Sequence, residues 1–347
     1  MPGNVYAIDD MRRRVADGRL REVPDPDGSG LCIFDYTQQC AWDRAWDDFT
    51  LAARGLVLAP DGRVVARPFP KFFNLGEPDV RLPDGHSELF EKYDGSLIIV
   101  FHDGRRWRCN TRGSWDSEQA IAARAWLDPW IARDFGAAAV PAPGGHTLLF
   151  EYVSPGNRVV VPYRDTACVL LGVIDSATGI EWSEWRAWGH AQGLPLAASH
   201  GVRDVAAVDM SGGSGTREGY VARWPDGYRL KLKFADYLHL HRIVTGTSPR
   251  RVWEQLRDGA PPLPLEQLPD EFARWYVQFR DGLQQRYAEL HAEVDALWLA
   301  TPELPDRKSR ALHWRSAEPW ALKCLFARLD GKPYDEIIWR RVRPGPE

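Results

Sequence analysis

Three Asp-Gly pairs, at 61–62, 103–104 and 226–227, each sit between two apolar, β-prone runs. Asp-Gly accepts the left-handed backbone that a tight hairpin turn demands, so each pair folds the chain back on itself. The first joins Gly55–Leu58 to Val64–Phe69. The second joins the run after Lys92 to Trp107–Thr111. The third, Pro225-Asp226-Gly227, joins Glu218–Ala222 to Tyr228–Phe234. This punctuation calls for antiparallel sheets. Further strands are expected at 31–36, 147–153, 159–163 and 167–174, and helices at 1–20, 117–135 and 183–192, with a loop at 211–216.

The texture becomes helical after about residue 245. Ser248-Pro249 makes an N-cap and first helical position, and Gly259 a stop. The Pro-rich 261–269 reads as a linker. Residues 270–300 carry aromatic and aliphatic side chains at helical spacing, and 306–347 form two or three short helices. The expectation is an α+β chain of two domains, 1–245 with the antiparallel sheets and 246–347 all-helical.

Composition narrows the function. A net charge of −4 argues against gross attraction to nucleic acid and leaves room for a local basic groove. Five widely spaced cysteines include no Cys-x-x-Cys pair, which disfavours structural zinc and fits free thiols in a reducing compartment. No apolar leader or membrane-length segment is present, so a cytoplasmic protein without membrane association is expected, as a monomer.

Lysine is the informative residue. Of 44 Lys and Arg, only seven are lysines and 37 are arginines. Arginine thus serves wherever positive charge suffices. Only Lys71, Lys92, Lys231 and Lys233 precede residue 300, each within a cluster of polar residues and glycine. Lysine can lose its proton and attack as an amine, which arginine cannot do. Lys92, in Lys-Tyr-Asp-Gly, is the candidate nucleophile. Lys231 and Lys233 alternate with Leu230, Leu232 and Phe234, so period two puts both ammonium groups on one strand face. A solvent-facing edge protected by lysines would look the same. Arg54 and Lys71 bracket the first hairpin and could face an anion together or line a solvated rim. Glu151 interrupts an apolar run. It either meets a partner or ligand in a buried strand or faces solvent on an edge strand. In 306–347, ten Lys and Arg stand against six Asp and Glu, with Trp314, Trp320 and Trp339 between them. That pattern suits RNA, and a solvated helical face fits it too.

In order, the polar clusters are Arg54-Gly55, Lys71-Phe-Phe-Asn74, Lys92-Tyr-Asp-Gly95, Arg112-Gly113, Glu151 in Phe150-Glu-Tyr-Val-Ser-Pro-Gly-Asn-Arg158, Glu218-Gly-Tyr-Val-Ala222 and Arg229-Leu-Lys-Leu-Lys233. Over roughly 30–242 this series resembles the nucleotidyltransferase motifs of covalent ligases and capping enzymes, most closely the phage-type RNA ligase 1 family. The resemblance implies an ATP-grasp-like nucleotidyltransferase domain of antiparallel sheets flanked by helices, and an ATP-dependent RNA ligase. Lys92 would form lysyl-AMP, AMP would pass to an RNA 5′-phosphate, and a 3′-hydroxyl would displace it. Lys231 and Lys233 would hold the α-phosphate. Arg54, Lys71 and Arg112 would hold pyrophosphate or the RNA phosphate. Asp94, Glu151 and Glu218 would serve Mg2+ or Mn2+ through water, with Glu151 also toward the ribose. Gly95 and Gly219 would allow close backbone approach, and Val221 with Leu171 or Val173 would wall the adenine. Arg112 stands where the family often has lysine, which keeps phosphate binding but not general acid or base work. The tail beyond 245 does not match the family's usual C-terminal domain. No Gly-x-x-x-x-Gly-Lys-Ser/Thr loop is present, so RNA repair would need other enzymes to prepare the ends. The same chemistry on DNA or another acceptor, or a non-catalytic nucleotide- or RNA-binding module, are the competing readings.

Overall fold

The chain forms two compact units, Met1–His239 and Leu240–Glu347. The computed structural model describes residues 5–78, 80–135, 145–157, 160–212, 217–263, 265 and 270–345. Arg158, Val159, loop residues 213–216 and linker residues 264 and 266–269 lie outside this description.

The first unit runs α1 (Ile8–Ala16), β1 (Leu20–Pro24), β2 (Cys32–Tyr36), α2 (Gln38–Trp42), α3 (Asp48–Ala52), β3 (Arg54–Leu58), β4 (Val64–Ala66), β5 (Ser87–Lys92), β6 (Ser96–His102) and β7 (Trp107–Thr111). It continues with α4 (Glu118–Ile131), β8 (His146–Val153), β9 (Ala167–Asp175), α5 (Trp185–Ala191), β10 (Ser199–Arg203), β11 (Gly219–Arg223) and β12 (Arg229–Lys233). The strands make three four-stranded antiparallel sheets, ordered β1-β2-β3-β4, β7-β6-β8-β9 and β10-β5-β11-β12. The Asp-Gly turns join β3 to β4, β6 to β7 and β11 to β12, as their sequence demands.

The central sheet is buried on both faces. Ile98, Val100, Leu148 and Phe150 pack into one cluster with α4 and α5, and Ile99, Phe101 and Leu149 into another against β3 and β4. Such double burial explains why β6 and β8 read as continuous apolar runs rather than alternating ones. Helix α4 begins where Ser117 Oγ accepts the Ala120 amide at 3.2 Å, which satisfies one orphan donor of its first turn.

In the chain, α6 (Ala235–Gly246) crosses from the first unit to the second. Then come α7 (Pro249–Arg257), α8 (Asp270–Leu299), α9 (Arg307–His313), α10 (Pro319–Leu329) and α11 (Asp335–Arg341). The second unit is all-helical in its described residues. Its core gathers Trp253, Tyr276, Leu283, Leu290, Val294, Trp314, Leu325 and Ile338. The stripe along α8 is therefore packing surface. The protein is α+β. No helix among the described residues is long and apolar enough to cross a membrane.

The structure departs from the sequence reading in several places; β1, α2 and α3 were not expected, and β4 ends at Ala66. The first helix stops at Ala16, because Gly18 takes φ +72 and turns the chain into β1. Lys92 ends β5 rather than opening β6, and Asp94-Gly95 forms the turn between them. Strand β10 pairs with β5 although its sequence carries little β signal. The expected strand at 159–163 is absent from its described residues 160–163. The Val160 and Val161 amides, which a strand would use in its ladder, instead bond the Asp94 carboxylate at 2.8 and 2.9 Å.

Candidate active site

Strand β11 lies between β5 and β12, and their register stacks three rungs. Lys92, Gly219 and Lys233 form the first; Phe90, Val221 and Lys231 the second; Glu88, Arg223 and Arg229 the third. Alternate residues of a strand share a face, so the charged groups and Val221 project together. Of these, Lys92, Val221, Arg223, Arg229 and Lys231 line one wall of a cleft of about 690 Å3, within the usual size of a small-molecule site. The opposite wall comes from β8, β9 and the Phe69–Phe72 segment through Glu151, Leu171, Phe69 and Phe72.

At the first rung Lys92 Nζ donates to Glu218 Oε2 at 2.6 Å, and Lys233 Nζ lies 2.8 Å from Glu218 Oε1. Glu218 is 2 % exposed. Burial opposes its ionisation, but Lys92 and Lys233 outweigh burial and hold its carboxyl below the usual range. Gly219 next to it has φ +147, and a Cβ there would run into the Leu232 carbonyl. Only glycine lets the three strands close at this point.

Lys231 faces the cleft at the second rung. Burial, together with Arg54, Lys71, Lys92 and Lys233, makes its proton unusually easy to lose. Its Nζ sits 4.9 Å from the centre of the Phe72 ring, and the Arg54 guanidinium 5.5 Å from the same ring. Both cations rest near that ring, whose face attracts positive charge. An anion in the cleft would relieve all of them.

Glu151 lies on β8, which is flanked by β6 and β9, so the edge-strand reading is overturned. Its Oε1 accepts the Gly95 amide at 3.2 Å, and no described residue donates to its other oxygen. Burial pushes its pKa up to about 7 in spite of nearby Lys92. A Cβ on Gly95 would collide with the Tyr152 carbonyl, so glycine lets the turn lie against β8.

Asp94 does not line the cleft. Besides the two valine amides, its carboxylate accepts the Tyr237 hydroxyl at 2.9 Å, and its own amide donates to the Tyr163 hydroxyl at 2.8 Å. Burial, with Glu218 and Asp94 nearby, raises Tyr237 well above the ordinary phenol range, so it stays a donor. Asp94 therefore braces the turn that follows Lys92.

Arg21, Arg54 and Arg112 line the cleft near the turn that closes β7. Asp35, fully buried, is shared by Arg21 at 2.8 Å and Arg112 at 3.1 Å. Arg112 also donates to the Tyr36 hydroxyl at 2.9 Å. One carboxylate among three arginines leaves this end of the cleft positive. Lys71 is set back, with Tyr36, Trp46 and Phe73 rings 5.0–5.8 Å from its Nζ. Burial, then Arg54 and Arg112, lowers its pKa, with Glu77 opposing.

The structure thus gathers Arg54, Lys92, Gly95, Arg112, Glu151, Val221 and Lys231 on one cleft, with Glu218, Gly219 and Lys233 joined to Lys92 at its rim. Of the two proposed adenine walls on β9, Leu171 faces the cleft and Val173 is in the core. The three carboxylates do not converge. Among the described residues no group of three or more His, Cys, Asp or Glu side chains could hold a metal ion. Glu218 is engaged by lysines and Asp94 by the turn, leaving Glu151 with a free oxygen. Sequence reasoning missed Arg21, Asp35, Tyr237, Glu181 and Arg223, and named Arg229 without giving it a role. That role was within reach, since Arg229 precedes Lys231 by two and shares its face.

A family model described as RNA ligase matches residues 52–218, which spans β3 to the edge of β11. The RNA ligase of Rhodothermus phage RM378 is 25% identical over 91% of this chain and 90% of its own length. RNA ligase 1 of bacteriophage TS2126 is 35% identical over 35% of this chain, and the match spans only 33% of that protein. An archaeal ATP-dependent RNA ligase of known structure aligns over 94% of this chain and 96% of its own, at 14% identity and a TM-score of 0.48. At that distance the likeness says nothing of this chain's chemistry. The matched region carries the Lys92-Tyr-Asp-Gly tetrad, the β8 glutamate and Glu218 in their order, and over it the chain is similar to the phage-type RNA ligases.

Proposed function

We propose that the protein is an ATP-dependent RNA ligase that joins a 3′-hydroxyl to a 5′-phosphate through lysyl-AMP and RNA-adenylate. The observation that carries this reading is Lys92 at the rim of a cationic cleft, one rung from Lys231 and paired with Glu218. Lys92 Nζ attacks the α-phosphorus of ATP; a P–N bond forms, the bond to pyrophosphate breaks, and the ammonium proton leaves. Glu218 Oε2 is the group within hydrogen-bond reach of that proton. Lys231 and Lys233 stabilise charge on the α-phosphate, where fixed cations help phosphoryl transfer most. An oxygen of the RNA 5′-phosphate then attacks the adenylyl phosphorus and frees Lys92. Finally the 3′-hydroxyl attacks the 5′-phosphorus and AMP departs.

Arg21, Arg54 and Arg112 fit the outgoing pyrophosphate first and the RNA 5′-phosphate afterwards, with Lys71 adding charge behind them. Val221 and Leu171 enclose the base. The residues do not fit a metal held by protein alone. They would fit Mg2+ or Mn2+ carried in with ATP, which Glu151 would hold through water. Such an ion supplies further neutralisation of phosphate charge. The basic helical tail, 306–347, is proposed to contact RNA.

Incubation with α-labelled ATP and Mg2+ tests the reading. Acid-stable label should appear on the wild type and vanish in Lys92→Ala. An unlabelled wild type would leave only a binding module. Offering 5′-phosphorylated single-stranded RNA or DNA to the labelled protein then separates an RNA ligase from an enzyme that serves another acceptor.

A further inference from the structure

At the third rung, Arg223 and Arg229 meet a carboxylate that comes from outside the sheet. Glu181 Oε2 lies 2.8 Å from Arg223 Nε and 2.7 Å from Arg229 Nη2. The Arg229 guanidinium rests 4.1 Å from the centre of the Phe69 ring and donates to the Gly227 carbonyl at 2.8 Å, so the clamp is itself held. Glu181 is nearly buried, with 8 % of its side chain exposed, and that remainder lines the cleft. Its second oxygen, Oε1, accepts no hydrogen bond from any described residue. It lies over Gly172, where a Cβ would come within 2.8 Å of it, next to Leu171 on the cleft wall.

Position along the strands says what this oxygen could meet. Lys92 and Lys231 mark the phosphate end at the first two rungs. Val221 and Leu171 make the apolar slot. Successive rungs are about 6.7 Å apart, so the third lies one step beyond the slot. A flat base held there would present an edge to Glu181. A fixed carboxylate oxygen only accepts. It pairs with the exocyclic amine of adenine and repels the carbonyl that guanine carries at the same place.

We propose that Glu181 is the specificity-determining residue of the nucleotide cleft, its Oε1 accepting the adenine amine while Arg223 and Arg229 fix its direction. This rests on the ligase reading only for where the phosphates lie. Sites built to bond a polar group discriminate strongly against analogues that lack it.

The test compares ATP, GTP and purine riboside triphosphate, which is ATP without the amine, by titration calorimetry and by the rate of Lys92 labelling. Wild type should bind ATP at least tenfold more tightly than either analogue. In Glu181→Gln, whose amide can turn an N–H toward a carbonyl, the ATP-to-GTP preference should fall at least tenfold. Binding of purine riboside triphosphate as tight as that of ATP to the wild type overturns the inference without any variant. So does a Glu181→Gln protein in which all three nucleotides weaken equally, since that marks a purely structural ion pair. Binding that shows the preference without any labelling would instead count against the ligase reading and spare this one.

Discussion

Glu218 is the anion on which both lysines of the first rung depend. Glu218→Gln leaves two ammonium groups at a buried site without a counter-charge, and breaking such a pair costs about 3 kcal/mol. The melting temperature should drop accordingly, and labelling by ATP should fall at least a hundredfold; an active, stable variant would contradict the proposed pairing. Glu151 makes a pH prediction. Its ordinary pKa of 4.5 rises to about 7 in the folded chain, so between those values the folded state binds more protons than the unfolded one. The contribution is fully present below 4.5 and is lost as pH rises through about 7. In Glu151→Gln that fall in stability should flatten, as read from urea midpoints at pH 5 and pH 8, while ATP-dependent labelling drops. Lysine scarcity singled out Lys92, Lys231 and Lys233, which the structure brings together on one sheet. Asp35 and Glu181 were not legible, because nothing local marks a carboxylate whose partners lie far along the chain.

At the level of strands and turns, the hairpins were readable because Asp-Gly dictates them, and β8 because an apolar run bearing a carboxylate is hard to place elsewhere. What the sequence hid was which strand meets which. Strand β5 finds β11 and β10, more than 100 positions away, through backbone bonds that leave no residue signature. The misread segment 160–163 shows the same limit: Val160 and Val161 have strand-forming side chains, but their amides serve Asp94. Two element-scale tests follow. Gly219→Ala should unfold or strongly destabilise the β5-β11-β12 layer, since both its φ of +147 and the Leu232 carbonyl oppose a methyl group. Tyr237→Phe removes one hydrogen bond from the Asp94 brace and should cost about 1 kcal/mol, with labelling slowed through a looser turn. A Tyr237→Phe protein labelled at the wild-type rate would remove Tyr237 from the positioning of Lys92.

For the molecule as a whole, each unit has a core of its own, so their tasks should be separable. A chain ending at residue 245 should still accept AMP on Lys92 but seal RNA poorly. Equal sealing by the shortened chain would refute an RNA-contacting role for the helices. If the tail does grip RNA phosphates, sealing by the full chain should weaken with added salt more steeply than AMP transfer to Lys92 does. The join between Lys92 and Glu218 carries one last consequence. These two groups are 126 residues apart in the chain, and a third participant, Lys233, arrives later still. On the proposed mechanism, a nascent or partly refolded polypeptide should have an inert lysine, with self-adenylation starting only when the last strand of that layer docks. Uptake of AMP should then lag behind backbone collapse during refolding, and would serve as a chemical clock for completion of the fold.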